Sequence, residues 1–215
     1  MRTAVLGTGT VGRAWAARLV ELGHDVVVGT RDPAATRERD PGWTSPELAP
    51  FAEAVAGADL VVNALSGAAC LGVLAELAAS LAGTVVMDIT NPLDFSAGFP
   101  PTLFVKDTDS LGEQLQRALP ATKVVKAVNT LNASLQVRPL EEGSVFVAGD
   151  DDEAKALVAE LLTEVGHRDI IDLGDITASR GVEMFLPLWL RLMGALRTAE
   201  FTIKVVRPGP SRSEP

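Results

Sequence analysis

The sequence predicts an α/β protein: a doubly wound, mostly parallel sheet with a small C-terminal helical extension. Three observations carry this. Short apolar runs such as Thr3–Leu6, Val26–Val28 and Leu60–Asn63 are too short for helices and read as strands buried on both faces. Stretches with apolar residues three and four apart separate them. A glycine-rich hexapeptide, Gly7-Thr8-Gly9-Thr10-Val11-Gly12, joins the first run to the first helical stretch.

Taken in order, Thr3–Leu6 is a strand, and Ala14, Trp15, Ala17, Leu19, Val20 and Leu22 mark a helix ended by Gly23. Val26–Val28 is the second strand, so strand, glycine turn, helix and strand fill one βαβ unit. Asp32-Pro33 reads as the cap of a short helix, and Ser45-Pro46 as the start of another running to about Ala56. Leu60–Asn63 is a strand, Ala68–Leu81 a helix ended by Gly83, and Thr84–Asp88 a strand. Ser110–Leu119 is helical, Lys123–Val128 and Ser144–Ala148 are strands, and Asp150–Val165 is a helix ended by Gly166. Asp169–Asp172 is the last short strand. Ala178–Arg197 reads as one long apolar helix kinked at Pro187, and Phe201–Val206 as an edge strand. The expected division is a dinucleotide-binding domain over 1–175, a helix and edge strand over 176–206 and a flexible tail over 207–215.

Composition narrows the function. The chain has 215 residues, 47% of them hydrophobic, which fits a globular protein rather than a disordered or fibrous one. With 19 basic against 28 acidic residues the net charge is −9, which opposes general nucleic-acid binding. Cys70 is the single cysteine, so no intrachain disulfide forms, and a cytoplasmic location is expected. The apolar stretch Met184–Leu196, interrupted by Arg191, is too short to span a bilayer, so no membrane role is expected.

In the G-x-G-x-x-G pattern each glycine has its own task. Gly7 permits the tight turn, Gly9 lets backbone approach a pyrophosphate, and Gly12 lets helix and strand pack. The helix that follows turns unpaired N–H groups towards the phosphates. After the second strand, an acid suits the ribose of NAD and a basic residue the 2′-phosphate of NADP. Asp32 lies 20 residues beyond Gly12, but Thr30 and Arg31 come first around the turn, so the pattern favours NADP. Thr30 offers a hydroxyl and Arg31 a guanidinium fork, with Arg37 as additional charge.

Ligands in such sheets sit outside the carboxyl ends of the strands. That nominates the elbows Asn63-Ala64-Leu65-Ser66, Ile89-Thr90-Asn91-Pro92 and Asn129-Thr130-Leu131-Asn132. Acid–base candidates are few. His24 and His167 read as structural, Lys126-x-x-Asn129 is the remaining pair, and the absence of tyrosine excludes a Tyr-x-x-x-Lys reductase. No metal-ligand spacing occurs, and no catalytic side chain is nominated. Hydride transfer between two aligned ring systems needs proximity more than a protein acid or base.

The glycine hexapeptide, Val28-Gly29-Thr30-Arg31, Lys126-Ala127-Val128-Asn129-Thr130, Val147-Ala148-Gly149-Asp150-Asp151, and Asp172-Leu173-Gly174 followed by Glu183 and Leu186-Pro187-Leu188-Trp189 together resemble the NADPH:coenzyme F420 oxidoreductases. The oxidoreductase domain of the STEAP metalloreductases is similar in the same places. The resemblance implies a Rossmann-type domain and a homodimer built through the C-terminal helices. It implies NADP on Gly7, Thr8, Gly9, Thr10, Val11 and Gly12, with Thr30 and Arg31 at the 2′-phosphate; Ala64, Leu65, Ser66 and Asn91 of the elbows, where this sequence departs from the family after the fourth strand, are expected beside the nicotinamide half. It implies coenzyme F420 as co-substrate near Asn129, Thr130, Leu131, Pro187 and Met193, with direct hydride transfer. FMN, FAD or a small carbonyl or imine is the alternative acceptor, and an NADP-sensing protein without turnover is the alternative from another class.

Overall fold

The computed structural model describes residues 1–208. Eight strands form one sheet in the order β10-β9-β8-β5-β4-β1-β2-β3. They are β1 (Arg2–Leu6), β2 (Asp25–Thr30), β3 (Glu47–Pro50), β4 (Leu60–Asn63), β5 (Val85–Asp88), β8 (Lys123–Ala127), β9 (Ser144–Gly149) and β10 (Asp169–Asp172). All neighbours pair in parallel except β8 and β9. The chain runs outward from β1 to β2 and β3 on one side, and from β4 to β5 and β8 on the other. This is the Rossmann-type doubly wound sheet, and its switch point lies between β1 and β4.

Period-two alternation assigns the strand side chains to two cores. Val5, Val28, Val62, Met87 and Val125 pack with Trp15 and Leu19 of α1 (Thr10–Glu21) and with Val158 and Leu162 of α7 (Asp152–Val165). Ala4, Leu6, Val61, Val86 and Val124 pack on the other face, against Leu74 of α4 (Gly67–Glu76) and Leu115 of α5 (Leu111–Ala118). Caps stop and start the helices as the sequence suggests. Asp32 caps α2 (Pro33–Arg39) by accepting from the amide of Ala35, and Gly166 ends α7 with φ 125°.

Four stretches differ from the sequence expectation. Ser45-Pro46 does not open a helix. Residues Glu47–Pro50 instead join the sheet edge as β3, and α3 (Phe51–Val55) begins only after Pro50. Leu48 and Ala49 bury against β2 there, so edge pairing overrides the local capping signal. The helix expected to reach Leu81 stops at Glu76 and continues as tight turns to Gly83. The long C-terminal helix is two helices, α8 (Ser179–Met184) and α9 (Leu186–Leu196), after a 3-10 turn at Ile176–Ala178. Pro187 has no N–H to give to the Glu183 carbonyl, so one helix ends and another starts around it. Finally, Phe201–Val206 forms no ladder. It is an arm held by the Ser144 amide on the Ile203 carbonyl at 2.9 Å and by the Val205 amide on Ser144 Oγ at 2.9 Å.

Two elements have no counterpart in the sequence reading. One is a small hairpin, β6 (Leu93–Asp94) with β7 (Thr102–Leu103). The other is α6 (Ala133–Val137), capped by Asn132 Oδ1 on the Leu135 amide. Of the expected tail, Arg207 pairs with Asp169 at 2.8 Å, and 209–215 lie outside the described residues. No helix among the described residues is long and apolar enough to cross a membrane.

Under the sheet's carboxyl edge lies a buried ion triad. Lys126 Nζ sits 2.5 Å from Asp88 and 2.8 Å from Glu183, and it donates to the Thr90 carbonyl at 3.0 Å. Glu183 also accepts from the Leu111 and Gly112 amides at the start of α5, at 2.8 and 3.0 Å. Burial pushes the Lys126 ammonium towards losing its proton, but the two carboxylates more than offset it and hold its pKa above the usual lysine range. Replacing Glu183 by Ala leaves Lys126 half-paired and two helix-start amides without an acceptor. The expected loss is about 3–5 kcal/mol of stability, read as a lower urea midpoint at unchanged m-value.

Candidate functional site

The glycine loop closes over the switch point. Gly7 has φ 117°, and a Cβ there would come within 2.6 Å of the Ala64 carbonyl oxygen. A Cβ at Gly12 would collide with the Gly7 carbonyl. These two glycines are required by the protein itself. Gly9 differs: it has ordinary extended dihedrals, and a Cβ there would meet nothing within 4 Å. The space over Gly9 is open, and α1 begins there with no side-chain cap and no acid in its first turn. That leaves the first amides of a twelve-residue helix for an anion. Glycine motif, open cradle and uncapped helix start fit a pyrophosphate.

Beyond the loop, a cleft of about 370 Å³ is floored by the three elbows after β4, β5 and β8. Val11, Ala64, Leu65, Ser66, Asn91 and Leu131, all nominated from sequence, line it together. Among the described residues no ionisable side chain does. A broader depression of about 580 Å³ lies at the opposite, amino edge of the sheet, bordered by the Lys123–Asp151 ion pair at 3.0 Å, and has no part in this geometry.

Buried polar bonds set the elbows. Asp88 Oδ1 accepts from Asn63 Nδ2 and from the Thr90 hydroxyl, each at 2.8 Å. Asn91 and Asn129 clasp each other: Asn91 Nδ2 donates to the Asn129 carbonyl at 2.8 Å, and Asn129 Nδ2 donates to Asn91 Oδ1 at 2.9 Å. Asn129 Nδ2 also reaches the Val182 carbonyl of α8 at 3.0 Å. Next to it Val128 has φ 44°, a left-handed conformation that strains a β-branched residue by about 1–2 kcal/mol. The clasp holds this turn in place. Leu131 is fixed from the other side, where Gln136 Nε2 donates to its carbonyl at 3.0 Å and Gln136 Oε1 accepts from Trp15 Nε1 at 2.8 Å.

The remaining nominated residues are placed as follows. Asn129 and Thr130 lie buried beneath the cleft, 3% and 5% exposed. Pro187 and Met193 sit on α9, outside the cleft lining. Arg31 is exposed beside the loop, whereas Thr30 is buried with its hydroxyl 3.0 Å from that of Thr36. Lys126 is a member of the buried triad and has no access to the cleft, so the Lys126–Asn129 pair is not an acid–base pair. His24 pairs with Glu164 at 3.1 Å and His167 with the Gln136 carbonyl at 2.9 Å, both as framework. Cys70 is buried, and desolvation together with the nearby Asp88 charge pushes its thiol up to about 11, so it is inert at neutral pH.

Sequence reasoning missed Gly67, Ala68, Leu93, Phe95, Ala133 and Gln136 in the lining. Phe95, 59% exposed on the hairpin, was detectable only as an apolar residue in a long loop beside a predicted elbow. Gln136 needed α6 to be recognised.

Residues 2–92 match the family model described as NADP oxidoreductase, coenzyme F420-dependent. The F420-dependent NADP reductase of Methanothermobacter marburgensis is 32% identical over 212 residues, covering 89% of this chain and 92% of that protein. The chain belongs to that family. As a member of the F420-dependent NADP oxidoreductases it is an enzyme, an NADP-dependent oxidoreductase. The crystal structure of a candidate F420-dependent NADP reductase from Arthrobacter sp. FB24 is 55% identical, covers 96% of this chain and all of its own, and superposes with a TM-score of 0.93. Metalloreductase STEAP3 of Rattus norvegicus is 31% identical over 194 residues, which cover 87% of this chain but 38% of that protein.

The two kinds of glycine are separable by experiment. Gly12→Ala is expected to prevent stable folding of this oxidoreductase. Gly9→Ala is expected to keep stability within about 1 kcal/mol of the parent, because its Cβ meets no protein atom. It should still weaken dinucleotide binding about 10- to 100-fold by blocking charge-assisted backbone bonds. Thermal melts beside calorimetric titration with NADPH check both.

Proposed function

We propose that this enzyme transfers a hydride directly between NADPH and the deazaflavin coenzyme F420. The observation that carries this is the lining of the cleft: apolar and amide side chains, one aromatic ring, and no ionisable group. A carbonyl or imine acceptor develops charge that is commonly met by a protein acid, and none faces the cleft. When both are bound, the nicotinamide supplies the hydride and the deazaflavin ring accepts it. The chain's own part is to bind, align and exclude water.

The glycine loop from Gly7 to Gly12, with Thr8, Thr10 and Val11, holds the pyrophosphate, and Arg31 lies towards the 2′-phosphate. Ala64, Leu65, Ser66 and Asn91 flank the nicotinamide half. Leu131 and Phe95 wall the second ring, over a floor stiffened by Asn129 and Thr130. Flavins, FMN or FAD, share the planar shape, and the assay below includes them.

The division of labour follows the fold: residues 1–175 hold the dinucleotide, and 176–206 serve pairing and the second substrate. Two copies pair through α9. Leu186 is the one buried residue of that helix, while Leu188 and Leu196 are each 54% exposed. An apolar helix left so bare needs a partner. Pairing brings Pro187 and Met193, which the single chain leaves outside the cleft, towards the second-substrate site. The enzyme works in the cytoplasm on small-molecule cofactors.

Mixing the protein with NADPH and coenzyme F420 is expected to bleach the oxidised deazaflavin absorbance, with little change for NADH, FMN or FAD. Bleaching by a flavin alone overturns the choice of acceptor. Leu188→Asp is expected to reduce the mass in light scattering from that of two chains to that of one. A parent protein already at the mass of one chain overturns the pairing.

A further inference from the structure

We propose that the side-chain amide of Gln136 is a spacer that sets the width of the slot in which the two rings meet, by tying α1 to the elbow after β8. This role rests on the hydride-transfer reading above, to which it adds a positioning residue.

The cleft takes its walls from elements remote in sequence. Val11 lines it from α1, whereas Leu131 and Gln136 line it from the elbow after β8 and from α6. Val11 and Trp15 are four residues apart on α1, so they share one face of that helix. Trp15 is fully buried outside the lining, and its Nε1 donates to Gln136 Oε1 at 2.8 Å across 121 residues of chain. The same amide donates from Nε2 to the Leu131 carbonyl at 3.0 Å. One planar group thus runs from the helix that carries Val11 to the backbone that carries Leu131.

The amide has a single orientation. An indole N–H only donates and a carbonyl only accepts, so Oε1 must face Trp15 and Nε2 must face Leu131. The Gln136 backbone is pinned as well. Its amide donates to the Asn132 carbonyl at 3.0 Å, and its carbonyl accepts from His167 Nε2 at 2.9 Å. Burial lowers the His167 pKa, so the ring stays neutral at neutral pH with its proton on Nε2.

α6 needs these ties. A five-residue helix has almost no stability of its own. Leu135 and Val137 bury it on the core shared with Trp15, but apolar contact carries no direction. The two bonds of Gln136 supply the directional part, and they fix α1 against the elbow at hydrogen-bond tolerance.

Two variants cut the tie from opposite ends. Gln136→Met keeps the length of the side chain and removes both bonds. Trp15→Phe removes the indole donor from a residue outside the lining and leaves Gln136 in place. In both, the calorimetric Kd for NADPH is expected to stay within about threefold of the parent, because the glycine loop is untouched. The nicotinamide emission of bound NADPH is expected to fall, because a wider slot leaves the ring freer to move. In single turnover with coenzyme F420, transfer is expected to slow about 10- to 100-fold, the scale on which a misplacement of about 1 Å acts. The double variant should be no slower than the slower single one, since both remove the same connection. Bound-state emission equal to the parent's in a variant with a cooperative thermal melt overturns the proposal, and so does an additive loss in the double variant. If Gln136→Met does not fold, Trp15→Phe carries the same test. A parent protein that fails to bleach coenzyme F420 overturns the choice of acceptor, and the emission of the NADPH complex alone then decides for or against the spacer.

Discussion

One ammonium group holds the carboxyl edge of this sheet together. Lys126 stands buried near the end of a central strand, facing two carboxylates that would otherwise share a buried site as like charges. The excess negative charge is met by the start of α5, where two amides meet Glu183 at the positive end of the helix dipole. The C-terminal extension is therefore not a passive appendage. It supplies the second carboxylate, which completes the pairing that Asp88 begins.

The cleft at the carboxyl edge inherits its shape from this arrangement. The elbow after β5 is bonded from below by Lys126 and Asp88, and the elbow after β8 is clasped to it by paired asparagines. Val128 pays for nothing on its own: its left-handed turn persists because Asn129 is tied both to Asn91 and to α8. For the hydride transfer proposed above, rigid walls would matter, since small misplacements of one ring against the other are costly.

Much of this was legible in the residues. Strands buried on both faces write themselves as continuous apolar runs, and the glycine hexapeptide fixes the switch point, so sheet, first helix and phosphate loop follow directly. The elbows follow from the rule that ligands sit at the carboxyl edge. The rest depended on partners remote in sequence. Lys126 had no assigned partner in the sequence because nothing local shows Asp88 on the neighbouring strand, or Glu183 on a helix 57 residues later. Thr30 looked like a free hydroxyl because Thr36 faces it only once α2 has folded back. Glu47–Pro50 read as the first turn of a helix because its strand pairing is entirely with β2. Period and capping report a chain's local preferences, and these positions were decided by long-range contacts.

The uncharged cleft has a thermodynamic corollary. Walls that neither give nor take a proton cannot favour one redox partner by protonating it. In the hydride transfer proposed above, forward and reverse reactions would pass through the same aligned pair of rings, and the ratio of reduced to oxidised carriers would set the direction of flow.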